Sequence, residues 1–92
     1  MIVAAFYGHI NTAKVLIKAG AKVDAPNAAG QTALMLAASV GATQMCSFLL
    51  NKQGADVLAK CSAGQNALWY AQMSKHEPTV QVVANAVAIP MD

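Results

Sequence analysis

The sequence predicts an all-α fold, a solenoid of short helix-turn-helix units joined by β-like finger loops. Three observations predict it. The chain repeats itself with a period of about 33 residues, glycines recur at the same place in each copy, and the apolar content is aliphatic and small, with only 5% aromatic residues. Self-similarity at such a period is the mark of stacked supersecondary units that bury their faces against one another.

The register can be read residue by residue. Ala4-Ala5 returns as Ala37-Ala38, and Gly8 returns at the same spacing as Gly41. Gly20-Ala21 returns as Gly54-Ala55, Val23 as Val57, Gly30-Gln31 as Gly64-Gln65 and Ala33-Leu34 as Ala67-Leu68. This second group shares a common spacing that is longer than the first by a single position. The extra residue therefore lies between Gly41 and Gly54, within Asn51-Lys52-Gln53 where the first unit has Lys18-Ala19.

The middle unit shows why each element forms. Thr32 is placed to cap a helix from Ala33 to Val40, its hydroxyl accepting from an orphan amide of the first turn. Gly41 breaks that helix with a turn conformation that a Cβ resists. Thr43 is expected to cap a second helix reaching about Leu50. Met45, Phe48 and Leu49 fall at i, i+3 and i+4, the spacing of an apolar helix face. Gly54 ends this helix, and residues 55–64 form the finger. Alanine-rich inner helices allow close approach, and the leucines and valines of the outer helices fill the space between units.

Composition narrows the function. Ninety-two residues make one small domain with modest stability. Charged residues are 11%, against about 25% in an ordinary soluble chain. The net charge of +2 comes from scattered lysines without any arginine, so bidentate phosphate or guanine contacts are missing and nucleic acid is not expected. The longest apolar run, near Ala33–Ala42, is interrupted by Ser39 and Gly41 and falls short of the ~18–20 residues of a membrane span. No basic segment precedes an apolar start, so no signal peptide stands out. Cys46 and Cys61 make no disulfide framework and read as free thiols of a reducing, intracellular and cytoplasmic setting.

The motifs resemble the ankyrin repeat family. Gly30-Gln-Thr-Ala-Leu-Met-Leu-Ala-Ala-Ser-Val-Gly41 resembles the pattern G-x-T-P-L-H-x-A-A-x-x-G, and Phe48-Leu-Leu with Gly54-Ala-Asp-Val57 resembles L-L-L-x-x-G-A-D-V. Val15-Leu-Ile-Lys-Ala-Gly-Ala-Lys-Val-Asp24 is similar again, and Gly64-Gln-Asn-Ala-Leu-Trp-Tyr-Ala71 opens a weaker third copy. The resemblance covers nearly the whole chain and implies a single ankyrin domain over 1–92, with a partial repeat at 1–26, a full repeat at 27–60 and a divergent one at 61–92.

The departures are specific. The family motif T-P-L-H stands as Thr32-Ala-Leu-Met35 and Asn66-Ala-Leu-Trp69, so the helix-starting proline and the finger-tying histidine are both replaced. Lys75 stands where the inter-helix glycine is expected, and Pro78 fits only in the first turn of the last helix. At the ends, Met1, Ile2 and Val3, and then Val80, Val82, Val83, Val87 and Ile89, leave apolar side chains without an evident cover. Either the chain is a fragment or end-cap of a longer array, or these apolar end faces form a homodimer or meet a partner.

No reactive constellation emerges. Nothing places Cys46 or Cys61 beside His9 or His76 with an orienting third group. No Cys-x-x-Cys or His-x-x-x-His spacing offers a metal site. The glycines serve the repeat turns, and the four acidic residues never pair. Catalytic residues, cofactor and metal are all expected to be none.

The resemblance implies a protein–protein interaction module that grips a protein partner with its finger tips and the exposed edge of its inner helices. Carried over by position, that edge is Phe6-Tyr7, Ser39-Val40 and Met73-Ser74. The finger surfaces are Asp24, Ala25, Pro26, Asn27, Ala29 and Gln31, then Leu58, Lys60, Cys61, Ser62 and Gln65. The expected partner-binding set is Phe6, Tyr7, Asn27, Gln31, Ser39, Val40, Lys60, Ser62, Gln65 and Met73. Two plainer readings stand beside it: Phe6 and Tyr7 pack against a further N-terminal unit, and Trp69 fills core or supports a finger. The alternative function is docking substrate for an enzyme encoded elsewhere in a longer chain.

Overall fold

The computed structural model describes residues 2–52 and 54–88, which form three helix pairs. Inner helices α1 (Ile2–Phe6), α3 (Ala33–Ser39) and α5 (Ala67–Ser74) alternate with outer helices α2 (Ile10–Lys18), α4 (Thr43–Lys52) and α6 (Glu77–Ala88). Helix α3 packs between α1 and α5, α4 packs between α2 and α6, and each inner helix packs on the outer helix that follows it. That is the expected solenoid. Of the valines expected to lack cover, Val83 is fully buried and Val80 and Val82 are partly buried against the core, because α6 turns them toward its neighbours, while Val87 stays exposed. The side chains of Met1, Ile2, Val3 and Ile89 lie outside those described.

The repeat in sequence is a repeat in hydrogen bonds. His9 N–H donates to Ala4 at 2.8 Å, and one unit later Ala42 N–H donates to Ala37 at 2.9 Å. Gly8 to Ala5, Gly41 to Ala38 and Lys75 to Gln72 close the three inner helices in the same way, at 3.1, 3.1 and 3.2 Å. Ala4, Ala37 and Ala71 take matching positions in successive layers, and all three are buried. A larger side chain there would push neighbouring layers apart, at about 1–3 kcal/mol per overpacked site.

Between the layers lie Leu34, Met45, Leu49 and Val83, each at most 1% exposed. Burying side chains of this size stabilises by roughly 1.5–3 kcal/mol each. Leu49→Ala would remove one of the largest and cost about 2–5 kcal/mol through lost burial and the cavity left behind.

Most of the expected helix signals operate. Thr32 is extended (φ −92°, ψ 168°) and its hydroxyl accepts from Met35 N–H at 3.4 Å. Asn66 does the same for Trp69 N–H at 3.0 Å. Met35 takes the place of the family histidine with its own local contact, its Sδ accepting from Thr32 N–H at 3.4 Å. Pro78 sits in the first turn of α6, where a missing N–H costs nothing. At the end of α2, Ala21 N–H bonds to Leu16 and Gly20 N–H to Ile17, with Gly20 at φ +100°, the paired bonds of a Schellman termination.

Two local expectations change. Helix α4 runs two residues beyond Leu50, to Lys52. Thr43 is its first helical residue and not its cap: its hydroxyl meets the Thr79 hydroxyl of the next unit at 2.7 Å, so it joins layers and does not serve its own helix. Lys75 occupies the glycine place with φ +58°, the left-handed conformation that the alignment with Gly8 (φ +70°) and Gly41 (φ +71°) implies. Among the described residues no strand forms. The fingers are turns, because each offers its neighbour too few backbone groups for a ladder.

Candidate concave binding surface

Each finger is built by its own short-range bonds. Asn27 N–H donates to the Gln31 carbonyl at 3.0 Å and Gly30 N–H to the Asn27 carbonyl at 2.9 Å. Cys61 N–H to Gln65 (2.9 Å) and Gly64 N–H to Cys61 (2.8 Å) repeat the pattern in the next finger. The Asn27 carboxamide oxygen accepts from Ala29 and Gln31 N–H, both at 2.9 Å, while its amide donates to the Gln31 side chain at 3.0 Å. The fingers also touch each other. Ser62 N–H donates to the Ala29 carbonyl at 3.0 Å, and Asp56 N–H donates to the Asp24 carboxylate at 3.0 Å.

This close approach requires glycine at position 30. Its φ is +76°, and a Cβ there would sit 2.8 Å from Ser62 N and 3.2 Å from Cys61 Cα.

A side-chain chain ties the fingers to α5. The Gln31 amide donates to the Tyr70 hydroxyl at 3.2 Å, and that hydroxyl donates to Cys61 Sγ at 3.3 Å. Cys61 Sγ lies 3.5 Å from the Gln65 amide oxygen. The Tyr70 hydrogen bond holds the Cys61 thiol below the ordinary thiol range, and the same contact raises Tyr70. Sequence reasoning missed Tyr70. A signal was present: Tyr70 stands at the repeat position of Leu36, so an aliphatic place gains a polar tip. Cys61, placed on the finger surface by the sequence reading, is largely buried in this chain of contacts.

A second tie lies at the opposite end of the inner helices. His76 Nδ1 is 3.1 Å from the Thr79 hydroxyl and 3.4 Å from that of Thr43. Thr79 is fully buried and completes the junction between the second and third units.

The inner-helix edge presents apolar groups. Phe6 is 39% exposed, Tyr7 65%, Val40 45% and Met73 60%. Phe6, Ser39 and Met73 are equivalent by the repeat, as are Tyr7, Val40 and Ser74. The rings of Phe6 and Tyr7 meet edge to face, 5.1 Å apart. Ser39 and Ser74 turn their hydroxyls onto their own helices, donating to Leu36 and Ala71 carbonyls at 2.7 and 2.6 Å. Of the finger residues named from sequence, Lys60 and Ser62 are exposed, while Asn27, Gln31 and Gln65 engage side-chain polar atoms within the fingers. Trp69 is partly exposed and stacks edge to face on Tyr70 at 5.0 Å, beside the finger tie.

Among the described residues no three His, Cys, Asp or Glu side chains gather as they would to hold a metal ion. Cys46 is fully enclosed, and burial pushes its thiol up to about 12. No described helix is long and apolar enough to cross a membrane.

Stacked helix pairs with a row of exposed residues along the inner helices and turns beside them define a helical repeat scaffold. The family model of ankyrin repeats, in three copies, matches residues 1–90, and the chain belongs to the ankyrin repeat family. The human ASB11 ankyrin repeat domain superposes with a TM-score of 0.84 at 26% identity, covering 92% of this chain and 38% of that one. Cortactin-binding protein 2 of Ovis aries and of Mus musculus is 38% identical over 64 residues, 70% of this chain. The chain spans 4% of the length of those relatives.

Proposed function

We propose that this chain is a protein–protein interaction module that presents its inner-helix edge and finger loops to a protein partner and performs no chemistry of its own. It works as one domain of a partial unit (1–26), a full unit (27–60) and a divergent unit (61–92). The observation that carries the reading is the exposure of Phe6, Tyr7, Val40 and Met73 along the same edge of three consecutive units. Apolar groups of this size, held on packed helices, lose little freedom on binding and are the kind that dominate interface energy. A relative named for binding cortactin supports a protein as the partner class. The enclosed Cys46 and the internally bonded Cys61 suit a reducing, cytoplasmic setting.

The test is a pull-down with the wild type and a Tyr7→Ala, Met73→Ala double variant. Specific loss of a captured protein by the variant supports the reading. Identical capture by both removes the edge from the binding surface.

A second reading, self-association or docking of more array, is favoured by the first unit. Thr12 is exposed although the equivalent Met45 and Thr79 are buried, and Val15 beside it is 66% exposed. Such a face, in a longer chain, also suits an arm that docks substrate for an enzyme encoded elsewhere. Sedimentation across a concentration series separates the readings: Val15→Lys should abolish dimers if this face forms them.

A further inference from the structure

We infer that the segment this surface accepts is an apolar peptide stretch, uncharged where it crosses the inner helices, with an acidic residue toward the third unit. This rests on the inner-helix edge being the binding face and specifies what it binds.

The inner helices, Ile2–Phe6, Ala33–Ser39 and Ala67–Ser74, contain no Asp, Glu, Lys, Arg or His. A partner carboxylate or ammonium pressed against them would lose water and find no countercharge, a loss that weakens binding strongly in a buried setting. Hydrogen bonding along the surface is also largely taken up. Ser39 and Ser74 donate to their own helices, and Asn27 and Gln31 are occupied within and between the fingers. What the edge still offers is apolar area: the Phe6–Tyr7 pair, Val40 and Met73.

Apart from finger residues such as the exposed Lys60, charge enters the inner-helix edge at one place. The turn row that follows these helices is Gly8, Gly41 and Lys75, so its one cation stands at the third unit, exposed beside Met73. An acidic residue of the partner placed there gains a countercharge without entering the apolar stretch, which fixes the direction in which the segment lies.

The experiment selects random peptides displayed on phage against the immobilised chain. The enriched peptides are synthesised and mapped by amide shift perturbation. Their affinities are then measured on the wild type, Val40→Asp and Lys75→Asn, with circular dichroism confirming the fold of each variant. The expected peptides map to the inner-helix edge, have apolar uncharged centres and carry an acidic end. Val40→Asp weakens them about tenfold or more, as loss of a central apolar contact does. Lys75→Asn, which keeps the left-handed turn, weakens them a few-fold and removes the preference for the acidic end.

Peptides that map to this edge with charged centres would overturn the inference and leave the binding face standing. Peptides that map only to the outer helices, or no enrichment at all, would overturn both. A wild type whose edge is already covered by a second copy, with dimers lost in Val40→Asp, would also contradict a peptide as the occupant.

Discussion

The hydroxyl of Tyr70 reaches the Sγ of Cys61 at 3.3 Å, joining the third inner helix to the finger that precedes it. Because Gln31 of the preceding finger donates to the same hydroxyl, one oxygen holds two fingers in place. Tyr70→Phe should therefore cost about 1 kcal/mol, the net worth of such a bond. In a double-mutant cycle with Gln31→Ala by urea denaturation, the two losses should be less than additive. Full additivity would mean that the two side chains act independently.

Lys75→Gly should stabilise the domain by about 1 kcal/mol. A residue with a Cβ loses roughly that in the left-handed region, and Lys75 has φ +58° where Gly8 and Gly41 have +70° and +71°. Lys75→Ala keeps the strain and should give no such gain. Midpoints of chemical denaturation decide between them.

The two finger glycines should differ. Gly30→Ala meets both a positive φ and a backbone 2.8 Å from the new Cβ, whereas Gly64→Ala, at φ +83°, meets open space. We expect the first to cost ~3 kcal/mol or more and the second ~1–2 kcal/mol, from left-handed strain alone. Equal losses in thermal or urea unfolding would show that the fingers are not in close contact.

Alkaline stability should follow Cys46. Its folded pKa of about 12 lies above the ordinary 9.0, so the unfolded chain releases the proton first. The native state then binds more protons than the unfolded one, and stability present below pH 9 is lost as pH rises toward 12. The slope approaches ~1.4 kcal/mol per pH unit in that window. The raised Tyr70 acts in the same sense and the lowered Cys61 opposes it. The difference between wild type and Cys46→Ala, measured by urea denaturation from pH 8 upward, isolates the buried thiol. In the native state Cys46 should also resist alkylation that the unfolded chain undergoes.

How much of this was legible in the sequence follows from what repeats. Ala4, Ala37 and Ala71 announce themselves by spacing because every layer needs a small residue at the same place. Lys75 was legible as a glycine substitute because two other copies define its position. The exposed row through Phe6, Val40 and Met73 came from register plus family resemblance. The ties between units were not legible. Thr43 looks like a cap because Ser and Thr before a helix usually are, and only the approach of Thr79 to 2.7 Å shows it bonding across layers. Gln31 recurs as Gln65, but Tyr70 and Cys61 align with the unlike Leu36 and Asn27, so the repeat marks Tyr70 as unusual without showing what it bonds. Likewise Asn27, Gln31 and Gln65 read as polar finger surface, whereas their side chains close the finger turns.

Hydrogen–deuterium exchange of the chain with and without its captured partner tests the binding face most directly. Added protection is expected at residues 6–7, 39–40 and 73–74, with α2 and α6 unchanged around Val15 and Val87. Protection confined to those outer helices, with the inner edge exchanging as freely as before, would contradict a binding face on the inner helices.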